Sequence, residues 1–335
     1  MPVAMSRRRF IAVSAVAVGA PLLAVGVGRA QARPWRWEGR ALGAPAFITL
    51  YHSDPAHARA AIAAGLAELD RLEGVFSLYR PDSAVSTLNR DGVLTDAPAD
   101  LLSLLGRALT LAEISDGIYD PTVQPLWCLY RDHFTAPNAD PAGPSPKAIA
   151  AARALVDWRA LEIDPDRRRI ALARPGMGLT LNSGAQGYIT DRVAEVLRAH
   201  GFDRMLVDMG EPRALAAKPD GSAWRIAIAN PADPARTVAT LEVVDRCIAT
   251  SGGYGTIFDA TGQFTHILDP RTGGTAPALA GVSVVAETAT LADGLATAML
   301  LAPAERRHAI LRAAGGIQAI YVDRQGVTAT VEAGA

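Results

Sequence analysis

The sequence predicts an α+β fold, with strands and helices sharing one core and following no strict alternation along the chain. Three observations lead there. Half of the 335 residues are hydrophobic and only 20% are charged, so the chain can bury a substantial core. Long apolar periods at helical spacing stand among short runs that alternate with period two. No strong linker divides the chain, and no repeat of solenoid length appears, so one large domain should follow the N-terminal segment.

The elements follow in order. Ala46 to Tyr51 reads as a strand. Asp54-Pro55 opens a helix that places Ile62, Leu66, Leu69 and Phe76 at helical spacing. Leu101 to Ile114 is a second helix with its stop at Asp116-Gly117, and Pro137 to Pro146 is a surface loop. Leu161–Asp164 and Arg169–Leu172 flank a Pro-Asp turn as a hairpin. Tyr188 to His200 forms a helix ended by Gly201, and Met205 to Val244 alternates like several strands. Val282 to Val285 is a strand, Thr288 caps a helix through Leu291, Leu295 and Met299, and two strands near 317–322 and 327–331 close the chain.

Residues 1–32 read as an address rather than as part of the fold. Ser6-Arg7-Arg8-Arg9-Phe10 precedes an Ala/Val-rich run and Ala30-Gln31-Ala32, the pattern of a twin-arginine signal peptide cleaved before Arg33. A membrane anchor is the competing reading, but Gly19, Pro21 and Gly26 interrupt the run. Export to the periplasm without stable membrane insertion is the expectation. The remaining chain, residues 33–335, keeps 29 basic and 34 acidic side chains, a formal charge of −5. That balance lacks the basic surplus of a nucleic-acid binder. Cys128 and Cys247 exclude a disulfide-dense scaffold; two buried thiols are expected, with a single disulfide as the alternative.

Several constellations can carry chemistry. Asp293 and Thr297 lie four apart on the last long helix, which stacks two hard oxygen donors suited to Mg²⁺ on one face. The same spacing is common on solvent-facing helices. His266-Ile267-Leu268-Asp269-Pro270-Arg271, read as a short strand entering a turn, offers a proton acceptor and an anion clamp, or else a structural turn. Asn182 to Tyr188 is a small-residue loop opening a helix, where backbone N–H groups favour phosphate. It matches neither a Walker loop nor the dinucleotide fingerprint. Thr250 to Tyr254 reads as another small-residue turn. Tyr79 and Tyr119 are core aromatics or faces for a planar ring.

The order of these blocks resembles the FAD:protein FMN transferase family, from roughly Trp37 to Ala302. The marks are Ser77-Leu78-Tyr79-Arg80-Pro81-Asp82-Ser83, Gly117-Ile118-Tyr119-Asp120-Pro121-Thr122, Gly184-Ala185-Gln186-Gly187-Tyr188 with Asp191, Ala249-Thr250-Ser251-Gly252, the His266 to Gly273 block and Ala292-Asp293-Gly294-Leu295-Ala296-Thr297. The resemblance implies a T-fold-like α+β enzyme that binds FAD and Mg²⁺, splits the pyrophosphate with release of AMP, and attaches FMN to a Ser or Thr of a partner protein, a flavin-accepting domain expected to be membrane-associated. It implies Asp293, Thr297 and Ser183 as metal ligands. Leu42, Tyr79, Ile118, Tyr119, Asp120, Thr180, Gln186 and Ile267 then fall where the family contacts the nucleotide.

Within that frame His266 is the candidate base, because its unperturbed pKa lies near the working pH, with Asp293 as the second choice. The chain departs from the family pattern at three positions. Gln186 stands where Lys is usual, Thr180 where Asp is usual, and Leu42-Gly43-Ala44 replaces Met-Gly-Thr. These departures favour a flavin-binding or electron-transfer accessory protein as the alternative; an FAD pyrophosphatase is a further one. A twin-arginine signal without a lipoprotein cysteine resembles the branch that serves nitrous-oxide respiration.

Overall fold

The computed structural model describes residues 16–17, 33–231, 233–275 and 279–334. The proposed signal segment therefore lies outside the described residues, apart from a two-residue strand β1 (Val16–Ala17). The first strands are β2 (Arg33–Ala41) and β3 (Ala44–His52), followed by helices α1 (Pro55–Phe76) and α2 (Ala84–Asp91) and strand β4 (Val93–Leu94). Helices α3 (Ala99–Ile114), α4 (Gln124–Thr135) and α5 (Pro146–Arg153) precede the hairpin β5 (Leu161–Asp164) and β6 (Arg169–Leu172). After α6 (Asn182–Ala199) come β7 (Met205–Asp208), β8 (Pro212–Leu215), β9 (Trp224–Asn230), β10 (Asp233–Val243) and β11 (Arg246–Gly252). The chain ends with β12 (Leu279–Ala286), α7 (Ala289–Leu301), α8 (Ala304–Ala313), β13 (Gln318–Asp323) and β14 (Thr328–Glu332).

Eight strands form one antiparallel sheet in the order β14-β13-β12-β11-β8-β7-β3-β2. Its two sides are covered differently, and period two explains how. Along β7, Met205 and Val207 enter the main core with α1, α6 and α7, while Leu206 joins a smaller cluster with Trp224, Ile226 and Val243 from the β9–β10 ribbon. Ala46, Ile48 and Leu50 of β3 alternate in the same way and face the helices. The α+β expectation agrees with this mixed architecture.

Local chemistry sets the helix boundaries. Asp54 accepts the Ala56 N–H at 2.8 Å and Pro55 begins α1, as the sequence predicts. Thr288 caps α7 by accepting the Leu291 N–H. Helix α6 begins six residues before the expected Tyr188, because Asn182 already turns helically; non-helical dihedrals at Ser183 and Gly184 then kink it. The expected turn at Thr250 to Tyr254 is instead, through Gly252, the end of β11, paired in register Thr250 with Ser283 and Ser251 with Val282. No strand forms at His266; only an isolated bridge joins Ile257 and Thr265 there. Both cysteines are free thiols, Cys247 buried and Cys128 half-buried. Among the described residues no helix is long and apolar enough to cross a membrane.

Helices α6 and α7 cross at backbone contact, and Gly187 permits it. A Cβ there would sit 2.2 Å from the Ala289 carbonyl oxygen and 2.7 Å from the Thr290 nitrogen. Gly187→Ala should therefore push the two helices apart and lower stability by about 1–3 kcal/mol, as overpacking does elsewhere. Urea denaturation measures this; an unchanged midpoint would mean that the crossing is looser than it looks.

Candidate active site

A cleft of about 260 Å³ opens where the β2–β3 turn, the loops after α1 and α3, and the kinked start of α6 face α7 and the segment 250–270. All twelve residues singled out from the sequence line it. Leu42, at the β2–β3 turn with φ +46°, donates its N–H to Glu73 Oε1 at 2.8 Å. Tyr79 stands at the rim, 63% exposed, so its ring is available to a planar partner and is not a core residue. Ile118, Tyr119 and Asp120 form a buried side wall. Asp120 accepts the Thr122 N–H and hydroxyl at 2.8 and 2.6 Å and the Trp158 N–H at 3.2 Å, while burial raises its pKa. Thr180 is held against this wall by its N–H to the Pro121 carbonyl, 2.8 Å.

Helices α6 and α7 also contribute to the lining. Ser183 Oγ donates to the Tyr119 hydroxyl at 3.4 Å, and burial raises the Tyr119 pKa. Gln186 lies over Gly210, where a Cβ would approach its amide nitrogen to 2.4 Å; with φ +118°, that position suits glycine alone. Asp293 is only 4% exposed and accepts the Gly187 N–H through Oδ2 at 3.0 Å. Burial pushes its pKa up to about 7, opposed by that N–H and reinforced by Asp191. One turn on, Thr297 Oγ1 lies 2.9 Å from Ser251 Oγ.

His266 and Ile267 face the cleft from the 250–270 segment. The His266 Nδ1 lies 3.1 Å from both the Thr256 nitrogen and the Thr256 carbonyl oxygen. Burial lowers the His266 pKa, so the ring is neutral at pH 7.

Could a cation fit? Among the described residues no three of His, Cys, Asp and Glu gather into a metal-holding group. The cleft lining offers another kind of set: the Asp293 carboxylate with the hydroxyls of Thr297 and Ser183, which meet Ser251 and Tyr119. Such hard donors suit Mg²⁺, which keeps open positions for water and phosphate. Among the described residues the cleft lining contains no lysine or arginine. The residues fit the ion.

Site features not foreseen are Glu211 in the lining and Asp208 just behind it; Tyr254, at the end of the block read as a small-residue turn, also lines the cleft. Glu211 accepts the Thr250 N–H at 3.1 Å and has its pKa driven up by burial, then by Asp293 and Asp208. Tyr254 buries a hydroxyl without a hydrogen-bond partner among the described residues. Asp208, 1% exposed, accepts the Gly210 N–H through Oδ1 at 2.8 Å, while Oδ2 has no partner among the described residues. No short motif marks Glu211 or Asp208; for Asp208 the available signal was an acid at the end of a strand buried on both faces.

Comparison with known proteins gives one family. A sequence model of the ApbE family matches residues 42–321. The FAD:protein FMN transferase of Treponema pallidum is 30% identical over 320 residues, covering 88% of this chain and 86% of that protein. Its counterpart in Vibrio cholerae is 32% identical over 259 residues, 73% and 75% of the two chains. The crystal structure of Pseudomonas stutzeri flavinyl transferase ApbE, apo form, superposes with a TM-score of 0.76 at 32% identity, covering 90% of this chain and 96% of that one.

Burial lifts the Asp208 pKa to about 7, far above the carboxylate range of an unfolded chain. The folded state therefore holds a proton that the unfolded state releases, and this contribution to stability is lost as pH rises from about 4 to about 7. Asp208→Asn should remove that share of the loss, leaving the variant more stable than the parent above pH 7 by on the order of 1–3 kcal/mol. Below about pH 4 the two should match. Thermal melts across pH test this; parallel curves would place the proton elsewhere.

Proposed function

This chain belongs to the ApbE family, and on that premise we propose that it is a Mg²⁺-dependent FAD:protein FMN transferase that modifies a Ser or Thr of a flavin-accepting protein and releases AMP. The observation that carries this is the convergence in one cleft of an oxygen donor set, an exposed aromatic ring and a neutral histidine. In the proposed reaction the acceptor hydroxyl attacks the FMN phosphorus. The bond from that phosphorus to the bridging oxygen breaks, AMP leaves with the bond's electron pair, and the hydroxyl proton passes to His266 Nε2. Asp293, Thr297 and Ser183 would hold Mg²⁺, which neutralises charge on the phosphate oxygens when bound.

The protein's own groups do the rest. Tyr79 offers its face to the isoalloxazine ring from the rim, and the Leu42, Ile118 and Ile267 side chains supply apolar walls. Burial keeps His266 neutral and so able to accept a proton at working pH. Gln186 offers hydrogen bonds to phosphate or ribose without charge. That neutrality, with Thr180 and Ala44, supports a second reading in which the protein binds flavin and transfers little.

The N-terminal pattern supports export to the periplasm by the twin-arginine route, with a membrane-associated acceptor, as in the branch serving nitrous-oxide respiration. Incubation with FAD, Mg²⁺ and a candidate acceptor domain, read by mass spectrometry, distinguishes the readings. A gain of one FMN means transfer, AMP without a gain means hydrolysis, and intact bound FAD means a binding protein.

Two substitutions sharpen the assignment. Asp293→Ala should stay folded and lose at least about 100-fold in FMN transfer at saturating Mg²⁺, since it deletes the anionic ligand. Near-normal turnover would remove Asp293 from the site. His266→Ala should keep its FAD affinity and lose roughly 100- to 10,000-fold in transfer, the span of general-base catalysis. Equal losses in melting temperature, FAD binding and transfer would make His266 a structural residue instead.

A further inference from the structure

The fold explains the ring of Tyr254 but not its hydroxyl. Gly252 of β11 and Gly281 of β12 face each other in register and leave a bare patch on the sheet. The Tyr254 ring covers that patch. A Cβ on Gly252 would overlap the ring, and one on Gly281 would touch its Cε1 at 3.8 Å. A phenylalanine would cover the patch equally well. The hydroxyl, by contrast, is buried with no hydrogen-bond partner among the described residues. The nearby Glu211 carboxylate accepts the Thr250 N–H and not this group. Burying an O–H without a partner costs stability, so the packing of the free protein gives no reason for a tyrosine here.

The neighbours of Tyr254 in sequence show what could meet the hydroxyl. Three residues before it, the Ser251 hydroxyl lies 2.9 Å from Thr297 Oγ1, on the side assigned to the cation. One residue after it, Gly255 lies against His266. A Cβ there would come within 2.9 Å of Cε1 and 3.3 Å of Nε2, so the glycine keeps that nitrogen open. In the proposed reaction the phosphorus under attack lies between the cation ligands and His266, and the segment from Ser251 to Gly255 spans the same interval. Among the described residues the cleft lining has no lysine or arginine. A phosphate held there must take its hydrogen bonds from neutral protein donors, and a phenol, protonated at working pH, is one.

We propose that the Tyr254 hydroxyl donates to a non-bridging oxygen of the FMN-side phosphate, and that this bond makes the cleft prefer phosphorylated flavins to riboflavin. The inference rests on reading the cleft as the FAD site. It gives the buried hydroxyl the partner that the free protein does not supply.

Titration of the full chain with riboflavin, FMN and FAD in Mg²⁺, followed by flavin fluorescence, tests this. The parent should bind FMN at least about tenfold more tightly than riboflavin. Tyr254→Phe deletes only the hydroxyl, and should lose about tenfold in affinity for FMN and FAD while riboflavin stays within about twofold. Without ligand the variant should melt no lower than the parent, because an unsatisfied buried group has been removed. Unchanged FMN and FAD affinities would mean that the hydroxyl meets only water, and would overturn its role. An equal loss for riboflavin would set it against the flavin ring instead of the phosphate, and a lower melting temperature without ligand would make it a structural bond; either result overturns the proposal. A parent that binds none of the three flavins, or all three equally, overturns the reading of the cleft as well.

Discussion

The Asp191 carboxylate is the joint on which the cleft depends. From the middle of α6 it accepts the Ala289 N–H at 3.0 Å, the Thr290 N–H at 2.9 Å and the Thr290 hydroxyl at 2.6 Å, and it binds Arg213 of β8 at 2.6 Å. It thus satisfies orphan donors at the N-terminus of α7, complements that helix's dipole and ties the helix layer to the sheet. Everything α7 presents to the cleft is placed by this joint. Removing either partner of so buried a pair would leave a charge without compensation, which costs far more than a surface ion pair.

A second constraint follows from the close crossing of α6 and α7. Because Gly187 lets the helices touch, its N–H reaches Asp293, and the same turn of α6 carries Ser183 and Gln186 into the cleft. Close packing and site geometry are therefore one arrangement. The acids at its floor work against folding, since burial raises the pKa of Asp208, Glu211 and Asp293 together. The surrounding core of Leu, Ile, Val and Met side chains offsets that cost.

Much of this was legible before any coordinates, for physical reasons that differ by region. Elements with a cap and a clear period, such as α1 after Asp54 and α7 after Thr288, are set locally and can be read locally. The polar motifs could be read as ordered blocks, and all their candidate residues meet in one cleft. The start of α6 could not, because Asn182 to Gly187 has the composition of a loop, keeps non-helical dihedrals at Ser183 and Gly184, and packs against α7 at Gly187. The end of strand β11 was read as a turn because Ser251 and Gly252 have weak strand preference and are held by β12. Helix α2 stayed hidden because it is short and polar; only its cap, Ser83, accepting the Ser86 N–H, hints at it. Glu211 and Asp208 escaped because their meaning lies in what surrounds them.

The cradle of His266 has one more consequence. Its Nδ1 lies equally far, 3.1 Å, from a donor and an acceptor of the same residue, Thr256. In either tautomer Nδ1 keeps one bond to Thr256: unprotonated it accepts the Thr256 N–H, and protonated it donates to the Thr256 carbonyl. A histidine locked by a carboxylate holds a single tautomer and must be reset by its partner. Here one backbone residue serves either tautomer, so the group that meets Nε2, rather than a partner behind the ring, selects the form.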